Sequence, residues 1–361
     1  MIVKSLKLKN FRNYDLLELE FDSSTNIFYG DNAQGKTNIL ESVYLTGTTK
    51  SHRGTKDRDL IKFEKEEAHI ETVVEKKGIP FKIDIHLKKN SPKGIAINKI
   101  PIRKASELFG IINIVFFSPE DLNIIKNGPA ERRRFIDLEL AQLDKVYLND
   151  LSNYNRIINQ RNKLLKNVYD RKDLMDTLDI WDLQLINYGN KIIDRRNKFI
   201  SQLNEIVEEI HNKLTGGKEN LKLIYEPGVK KESFEDALLK SRERDIKMKV
   251  TCVGPHRDDI CFMCGNMDIR KFGSQGQQRT AALSLKLAEI ELVKKEINDT
   301  PILLLDDVLS ELDKHRQNYL LDSINNIQTL ITCTGVDDFV NKRFHVNKMF
   351  CVEKGRVTMN I

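Results

Sequence analysis

Gly30-Asp31-Asn32-Ala33-Gln34-Gly35-Lys36-Thr37 is a complete G-x-x-x-x-G-K-T phosphate loop. Its flanks agree with it. Thr25 to Tyr29 reads as a short buried strand through Ile27, Phe28 and Tyr29, and Thr37 to Tyr44 reads as a helix. Strand, loop and helix in that order are the context in which the motif carries meaning. Gly30 and Gly35 permit backbone angles that turn successive N–H groups toward phosphate oxygens, and the helix N-terminus adds partial positive charge. Asp31, Asn32, Ala33, Gln34 and Asn38 are then nucleotide contacts. Lys36 is expected to reach the β- and γ-phosphates of ATP, and Thr37 to hold Mg²⁺.

A second segment supplies carboxylates. Ile302-Leu303-Leu304-Leu305 follows Pro301 and ends in Asp306-Asp307. A continuous apolar run of this length suits a strand buried on both faces of a parallel sheet, and ligands bind at the C-terminal edge of such sheets. Asp306 is the candidate for the Mg²⁺ shell and Asp307 for polarising the attacking water. Taken alone, the pair also reads as a solvated turn. The phosphate loop decides between the two.

The third segment is Gly273-Ser274-Gln275-Gly276-Gln277-Gln278-Arg279, a polar turn opening a helix with Ala281, Leu285, Ala288 and Leu292 on one face. Helix N-termini bind anions. A chain that already owns a phosphate loop gains from a second such end if that end presses on the γ-phosphate from the opposite side. Two heads would then sandwich two ATP molecules.

Most of the chain lies between Lys36 and Asp306, so a large insertion interrupts the sheet. The 361 residues suit one compound domain or two, and 40% hydrophobic content is ample for a core. No proline occurs between Pro129 and Pro227. Within that window Glu131 to Asn167 and Leu178 to Leu214 have helical periodicity, with a charged break from Asp170 to Asp176. The reading is an antiparallel pair of long helices, each arm about 55 Å at 1.5 Å per residue; several shorter helices are the alternative. The expected organisation is 1–125, the N-terminal part of the head with a β-rich basic lobe; 126–217, a helical arm lobe; and 218–361, the C-terminal part of the head.

The formal charge is +6, and it is uneven. From Lys76 to Lys104 nine basic residues face Asp84 alone, in a stretch that alternates as strands do (Phe81, Ile83, Ile85, Leu87). A basic face of this kind suits nucleic-acid phosphates, with Lys76, Lys77, Lys88, Lys89, Arg103 and Lys104 as candidate contacts. A solubilising lysine face is the competing reading. The five cysteines are too few and too irregular for a disulfide framework. Cys261-Phe262-Met263-Cys264 has zinc-ligand spacing but no second pair, so it is weak evidence for metal. The N-terminus has no long apolar core, and no 18-residue apolar run occurs. The chain reads as cytoplasmic, with no membrane partner.

The phosphate loop, the Ser-Gln-Gly-Gln-Gln-Arg turn and the Leu-Leu-Asp-Asp-Val strand resemble ABC/SMC-type ATPase heads. The full set resembles the bacterial RecF family. It adds Asn10-Phe11-Arg12-Asn13-Tyr14, Ser51-His52-Arg53, Phe117-Ser118-Pro119-Glu120-Asp121-Leu122, Gly128-Pro129 with Arg132 to Phe135, and Gly254-Pro255-His256-Arg257-Asp258. The resemblance implies an α/β head with cofactors ATP and Mg²⁺. It implies a DNA replication and repair protein, linked to DNA damage and the SOS response, that binds double- and single-stranded DNA at gap junctions. It also implies an ATP-dependent homodimer working with RecR and RecO to load RecA, with weak, DNA-stimulated ATPase activity. By resemblance, Arg12 and Asn13 contact nucleotide, Ser274, Gly276 and Gln277 form the trans signature, and Asp313 contacts the partner site. Two departures suit slow hydrolysis: Asp307 stands where such heads commonly carry Glu, and Ile331-Thr332-Cys333-Thr334 stands where they place His. The segment at Ser118-Pro119-Glu120 lacks the glutamine many such heads use. A transporter ATPase subunit and a structural DNA clamp are the rival functions.

Overall fold

The computed structural model describes residues 1–167, 175–335 and 346–360. The chain divides into two compact units, Met1–Asp121 with Glu289–Ile361, and Leu122–Ala288. In the first unit, β1 (Ile2–Phe11) and β2 (Tyr14–Glu20) form a hairpin, followed by β3 (Thr25–Tyr29) and α1 (Lys36–Thr48). Then come β4 (Glu67–Lys76), β5 (Ile79–Lys88), β6 (Ser91–Ile97), the short β7 (Ile100–Pro101) and β8 (Ile114–Phe117). An antiparallel sheet in the order β2-β1-β4-β5-β6-β7 makes the expected β lobe. Its strands alternate because one face is buried: Ala68, Ile70, Thr72 and Val74 point inward from β4. Lys77 and Gly78, both at positive φ (49° and 78°), make the tight β4–β5 turn that matches strand twist.

The second unit holds α2 (Leu122–Lys126), α3 (Pro129–Leu143), α4 (Lys145–Asn167), α5 (Met175–Thr215), β9 (Leu221–Glu226), α6 (Phe234–Met248), β10 (Asp259–Cys264), β11 (Met267–Asp268) and α7 (Ile269–Phe272). α8 (Gln275–Ile297) begins there and ends in the first unit. The second helical arm is continuous over 41 residues. The first is not, which corrects the expectation of two unbroken arms. Asp144 is extended (φ −133°, ψ 101°), and its Oδ1 accepts the N–H groups of Val146 (2.8 Å) and Tyr147 (3.0 Å). A short acidic side chain that caps a new helix ends the old one. The charged break falls partly at 168–174, outside the described residues. Cross-helix bonds run in opposite sense, Tyr147 with Arg196 and Arg161 with Asp182, so α4 and α5 are antiparallel.

Residues 218–288 fall in this compact unit. The three-stranded sheet β11-β10-β9 is too small to bury itself, and it is tied to α5 by Leu223 N–H on Asn204 Oδ1 at 2.7 Å. His211 on α5 also bonds Ser284 of α8 at 2.9 Å.

The chain returns to the first unit through β12 (Ile302–Asp306), α9 (Lys314–Ser323), β13 (Thr329–Cys333), β14 (Val346–Glu353) and β15 (Arg356–Asn360). The second six-stranded sheet has the order β15-β14-β3-β13-β12-β8, parallel from β8 to β14. Register aligns Leu305 with Phe117, Asp306 with Thr332 and Cys333 with Tyr29. The C-terminal ends of four strands therefore meet at one edge, which brings residues near 30, 118, 306 and 332 together.

Candidate functional site

That edge opens into a cleft of about 420 Å³ lined by residues 32–38, His52, Arg53, Ser118, Pro119, Glu120, Asp306, Asp307 and Thr332. The loop at its base is held in a conformation only glycine tolerates at two places. Gly30 has φ 143°, and a Cβ there would lie 2.4 Å from the carbonyl oxygen of Val352. Gly35 has φ 116°, and a Cβ would lie 2.4 Å from Asn13 Nδ2. Lys36 is buried, with Nζ donating to the carbonyls of Gly30 (2.5 Å) and Asp31 (2.7 Å). The ammonium thus lies within the loop, on acceptors that phosphate oxygens outcompete as charged partners.

Thr37 Oγ1 donates to Asp306 Oδ1 at 2.8 Å, and Thr332 Oγ1 donates to the same oxygen at 2.7 Å. A hydroxyl and a carboxylate at this spacing form the hard oxygen donor set that suits Mg²⁺. Among the described residues no group of three or more His, Cys, Asp or Glu side chains could hold a metal, and Cys261 and Cys264 are free thiols. Asp307 takes a left-handed backbone (φ 53°), pinned by its N–H on Thr332 Oγ1 at 3.0 Å. Its side chain lines the cleft beside Asp306.

Asn13 packs against the loop from outside, donating to the Gln34 carbonyl (2.9 Å) and accepting from Asn38 Nδ2 (2.9 Å). Arg12 does not line the cleft. Its guanidinium is engaged twice by buried Glu41, at 2.8 Å each, and also donates to the Asp59 carbonyl at 3.0 Å. Burial alone would raise the Glu41 pKa, but the Arg12 guanidinium and Ser51 hydroxyl outweigh it and hold the carboxyl below its ordinary value. Sequence reasoning gave Glu41 no role, because a lone Glu in an apolar helix carries no local signal. Arg53 and His52, quoted only within the resemblance, do reach the cleft. His52 stacks on Phe116 with centroids 4.2 Å apart. The β14–β15 turn was also missed: Lys354 N–H donates to Gln34 Oε1 (2.7 Å) and Gly355 N–H to the Gln34 carbonyl (3.2 Å).

In the other unit, Ser274 caps α8. Gln277 N–H donates to Ser274 Oγ (3.2 Å) and Ser274 N–H to Gln277 Oε1 (2.9 Å), a reciprocal capping box. Ser274 and Gly276 are exposed. Asp313 is likewise exposed and caps α9, accepting from Arg316 N–H at 3.0 Å. That N–H holds the Asp313 carboxyl below its ordinary pKa, with the Arg316 guanidinium adding to the effect.

The six basic candidates do not gather into one patch. Lys76 and Lys77 lie at one end of β5, and Lys88 and Lys89 lie at the other, roughly 30 Å away at 3.3 Å per residue. Lys76 Nζ donates to the Gly110 carbonyl at 2.5 Å. Lys89 pairs with Glu66 at 2.8 Å, and Lys88 lies 4.0 Å from Glu67. Arg103 and Lys104 are exposed, with their N–H groups on Glu107 Oε1. Lys7–Glu18 and Lys82–Glu71 pairs cross the same sheet, so its charges alternate.

Within Gly254-Pro255-His256-Arg257-Asp258, Arg257 is exposed, and Asp258 proves to be a buried hub. Asp258 accepts from Arg196 (2.6 Å), Tyr225 (2.5 Å) and the Gly228 N–H (2.8 Å). Arg132 is also buried, with Asp259 at 2.5 Å, and is not a surface cation.

The family model described as the RecF/RecN/SMC N terminal domain matches residues 2–358. The DNA replication and repair protein RecF of Agathobacter rectalis is 64% identical over 357 residues, covering 99% of each chain. That of Lachnospira eligens is 61% identical over 359 residues, again covering 99% of each. A solved structure of the recombination mediator protein RecF with ATP, from the RecFOR pathway, superposes with TM-score 0.94 at 36% identity, covering 100% of this chain and 98% of that one. An Smc head bound to the winged-helix domain of ScpA shares the fold (TM-score 0.57, 17% identity, 100% and 97% covered). The chain belongs to the RecF family, within the RecF/RecN/SMC group of ATPase heads.

Proposed function

We propose that this RecF-family chain is an ATP-dependent DNA-binding protein of recombinational repair, acting in a RecFOR-type pathway. The observation that carries the reading is the cleft itself. Lys36, Thr37, Asp306 and Asp307 converge at one sheet edge from segments at opposite ends of the sequence. Thr37 and Asp306 fit Mg²⁺, which when bound would neutralise charge on the β- and γ-phosphates. Lys36 turns from the loop carbonyls to the phosphates. Asp307 orients the attacking water and accepts its proton as the new P–O bond forms and the β–γ bridging bond breaks, releasing ADP and phosphate.

ATP also acts as glue. The exposed Ser274 cap, with Gly276 and Gln277, supplies the γ-phosphate contact in trans, and Asp313 meets the partner copy. Hydrolysis releases the pair. Arg12 serves through Glu41 and Ser51 rather than by touching nucleotide, while Asn13 shapes the loop. The dimer binds gapped or junction DNA, the basic β lobe contributes phosphate contacts, and RecR with RecO joins it in loading RecA. Light scattering tests the central step. Dimer mass with ATP, and monomer mass with ADP or no nucleotide, is expected. A mass indifferent to nucleotide would reject ATP-gated dimerisation.

A further inference from the structure

A groove of about 500 Å³ in the Leu122–Ala288 unit takes no part in the nucleotide chemistry. Among the described residues, Lys163, Lys166 and Lys249 line it together with Asn159, Asn162 and Val250, and none of these is a carboxylate. Lys163 and Lys166 stand one turn apart on α4 and are exposed. Lys249 closes the C-terminus of α6 in the left-handed conformation, φ 57°. Among the described residues no ion pair engages these three ammonium groups. From Asn153 to Asn167 the sequence of α4 contains no acidic residue.

A network of buried charge holds Asn162, which lines the groove. Arg161 is fully buried and donates to Asp182 (2.6 Å), Asp245 (2.7 Å) and Thr251 Oγ1 (2.9 Å). Thr251 in turn donates to Asn162 Oδ1 twice, from its backbone N–H and from its hydroxyl, each at 2.7 Å. A backbone N–H can only donate, so the Asn162 oxygen must face Thr251. The Asn162 NH₂ group is thereby left as a donor at the groove wall. A fringe of solvating lysines would need no such anchored amide beneath it.

We propose that this groove is a track for the phosphodiester backbone of nucleic acid, with Asn162 Nδ2, Lys163, Lys166 and Lys249 as its contacts. The inference rests on the DNA-binding reading above and adds a site on the helical unit, distinct from the β lobe. Two features favour a polyanion over a single phosphate. Arg156, Asn159, Lys163 and Lys166 recur at three- and four-residue steps along one helix face, about 15 Å in length at 1.5 Å per residue. The lysines also stay exposed rather than converging into a closed cradle. Amide and lysine donors of this kind position a nucleic-acid backbone without reading sequence.

The test uses the full chain with ATP, a labelled duplex and fluorescence anisotropy over a range of salt. The combined Lys163→Gln, Lys166→Gln and Lys249→Gln variant should flatten the slope of log affinity against log salt by about 2.7, from three contacts at roughly 0.9 each. ATP affinity should stay unchanged. Asn162→Asp keeps the acceptor for Thr251 but replaces the donor with a carboxylate oxygen, and should weaken duplex binding at low salt. Wild-type slope in the triple variant, with wild-type protein binding DNA normally, would overturn the track and leave the DNA reading intact. Loss of binding to polyglutamate with an unchanged DNA slope would reassign the groove to an acidic protein. Failure of the wild-type chain to bind duplex with ATP would overturn both readings.

Discussion

The phosphate-loop cleft and the interior of the helical unit are both rich in charge, but they hold it in opposite ways. In the cleft, Lys36 rests on two carbonyls, and Asp306 is shared by two hydroxyls. These partners can be exchanged for a ligand's oxygens. In the helical unit, Arg196 is buried and engages Tyr147, Asp137, Asp258 and the Pro255 carbonyl at once, at 2.6–3.0 Å. No ligand can enter there without breaking the fold. Charge with exchangeable partners marks function, and charge with fixed partners marks architecture.

Arg196→Met should break that contrast most severely. It leaves the buried carboxylate of Asp258 without its cation, which costs about 3–5 kcal/mol. A matching fall in the urea midpoint is expected, and a change below about 1 kcal/mol would show that the hub is not structural.

Asp307→Asn sharpens the other side. Losing a group that takes the water's proton should slow hydrolysis by about 10²–10⁴-fold. Stability should move by no more than about 0.5 kcal/mol, because the side chain lines an open cleft. ATP binding, followed by a fluorescent analogue, should survive with Thr37 and Asp306 in place. Normal turnover would remove Asp307 from the chemistry.

The smallest effect is one of pH. Burial depresses the His256 pKa to about 4, against a weaker opposing effect from the Thr251 carbonyl. The unfolded chain, with its ordinary value near 6.5, therefore binds more protons in between. The stability due to neutral His256 is whole above pH 6.5 and is lost as pH falls toward 4. His256→Gln should flatten the dependence of unfolding free energy on pH between 6.5 and 5. An equally steep dependence in the variant would place the titration elsewhere.

The same contrast explains what was legible in the sequence. Gly30 to Thr37 and Ile302 to Asp307 are contiguous, and their chemistry follows from residue type and spacing, so the sheet edge could be assembled in advance. Thr332 was noticed only as a hydroxyl in an unusual place; its bond to Asp306 depends on strand register, which no local pattern fixes. Glu41 and Asp258 were opaque because their partners come from distant segments. Arg12 was given no tie to Glu41 for the same reason. Helical periodicity located α5 well, but it ran through Asp144, where a side-chain cap overrides it. Counting lysines found a basic stretch without revealing that strand length separates Lys76 from Lys88.

Complementation between two inactive variants tests the composite site most directly. Lys36→Met spoils a head's own loop and leaves its Ser274 turn intact, and Ser274→Arg does the reverse. In a mixed dimer one site is broken twice and the other is whole. Partial recovery of ATPase activity on mixing is predicted, with mixed dimers verified by crosslinking. If Ser274→Arg hydrolyses ATP alone at the wild-type rate and mixing adds nothing, each head is self-contained and the trans site does not exist.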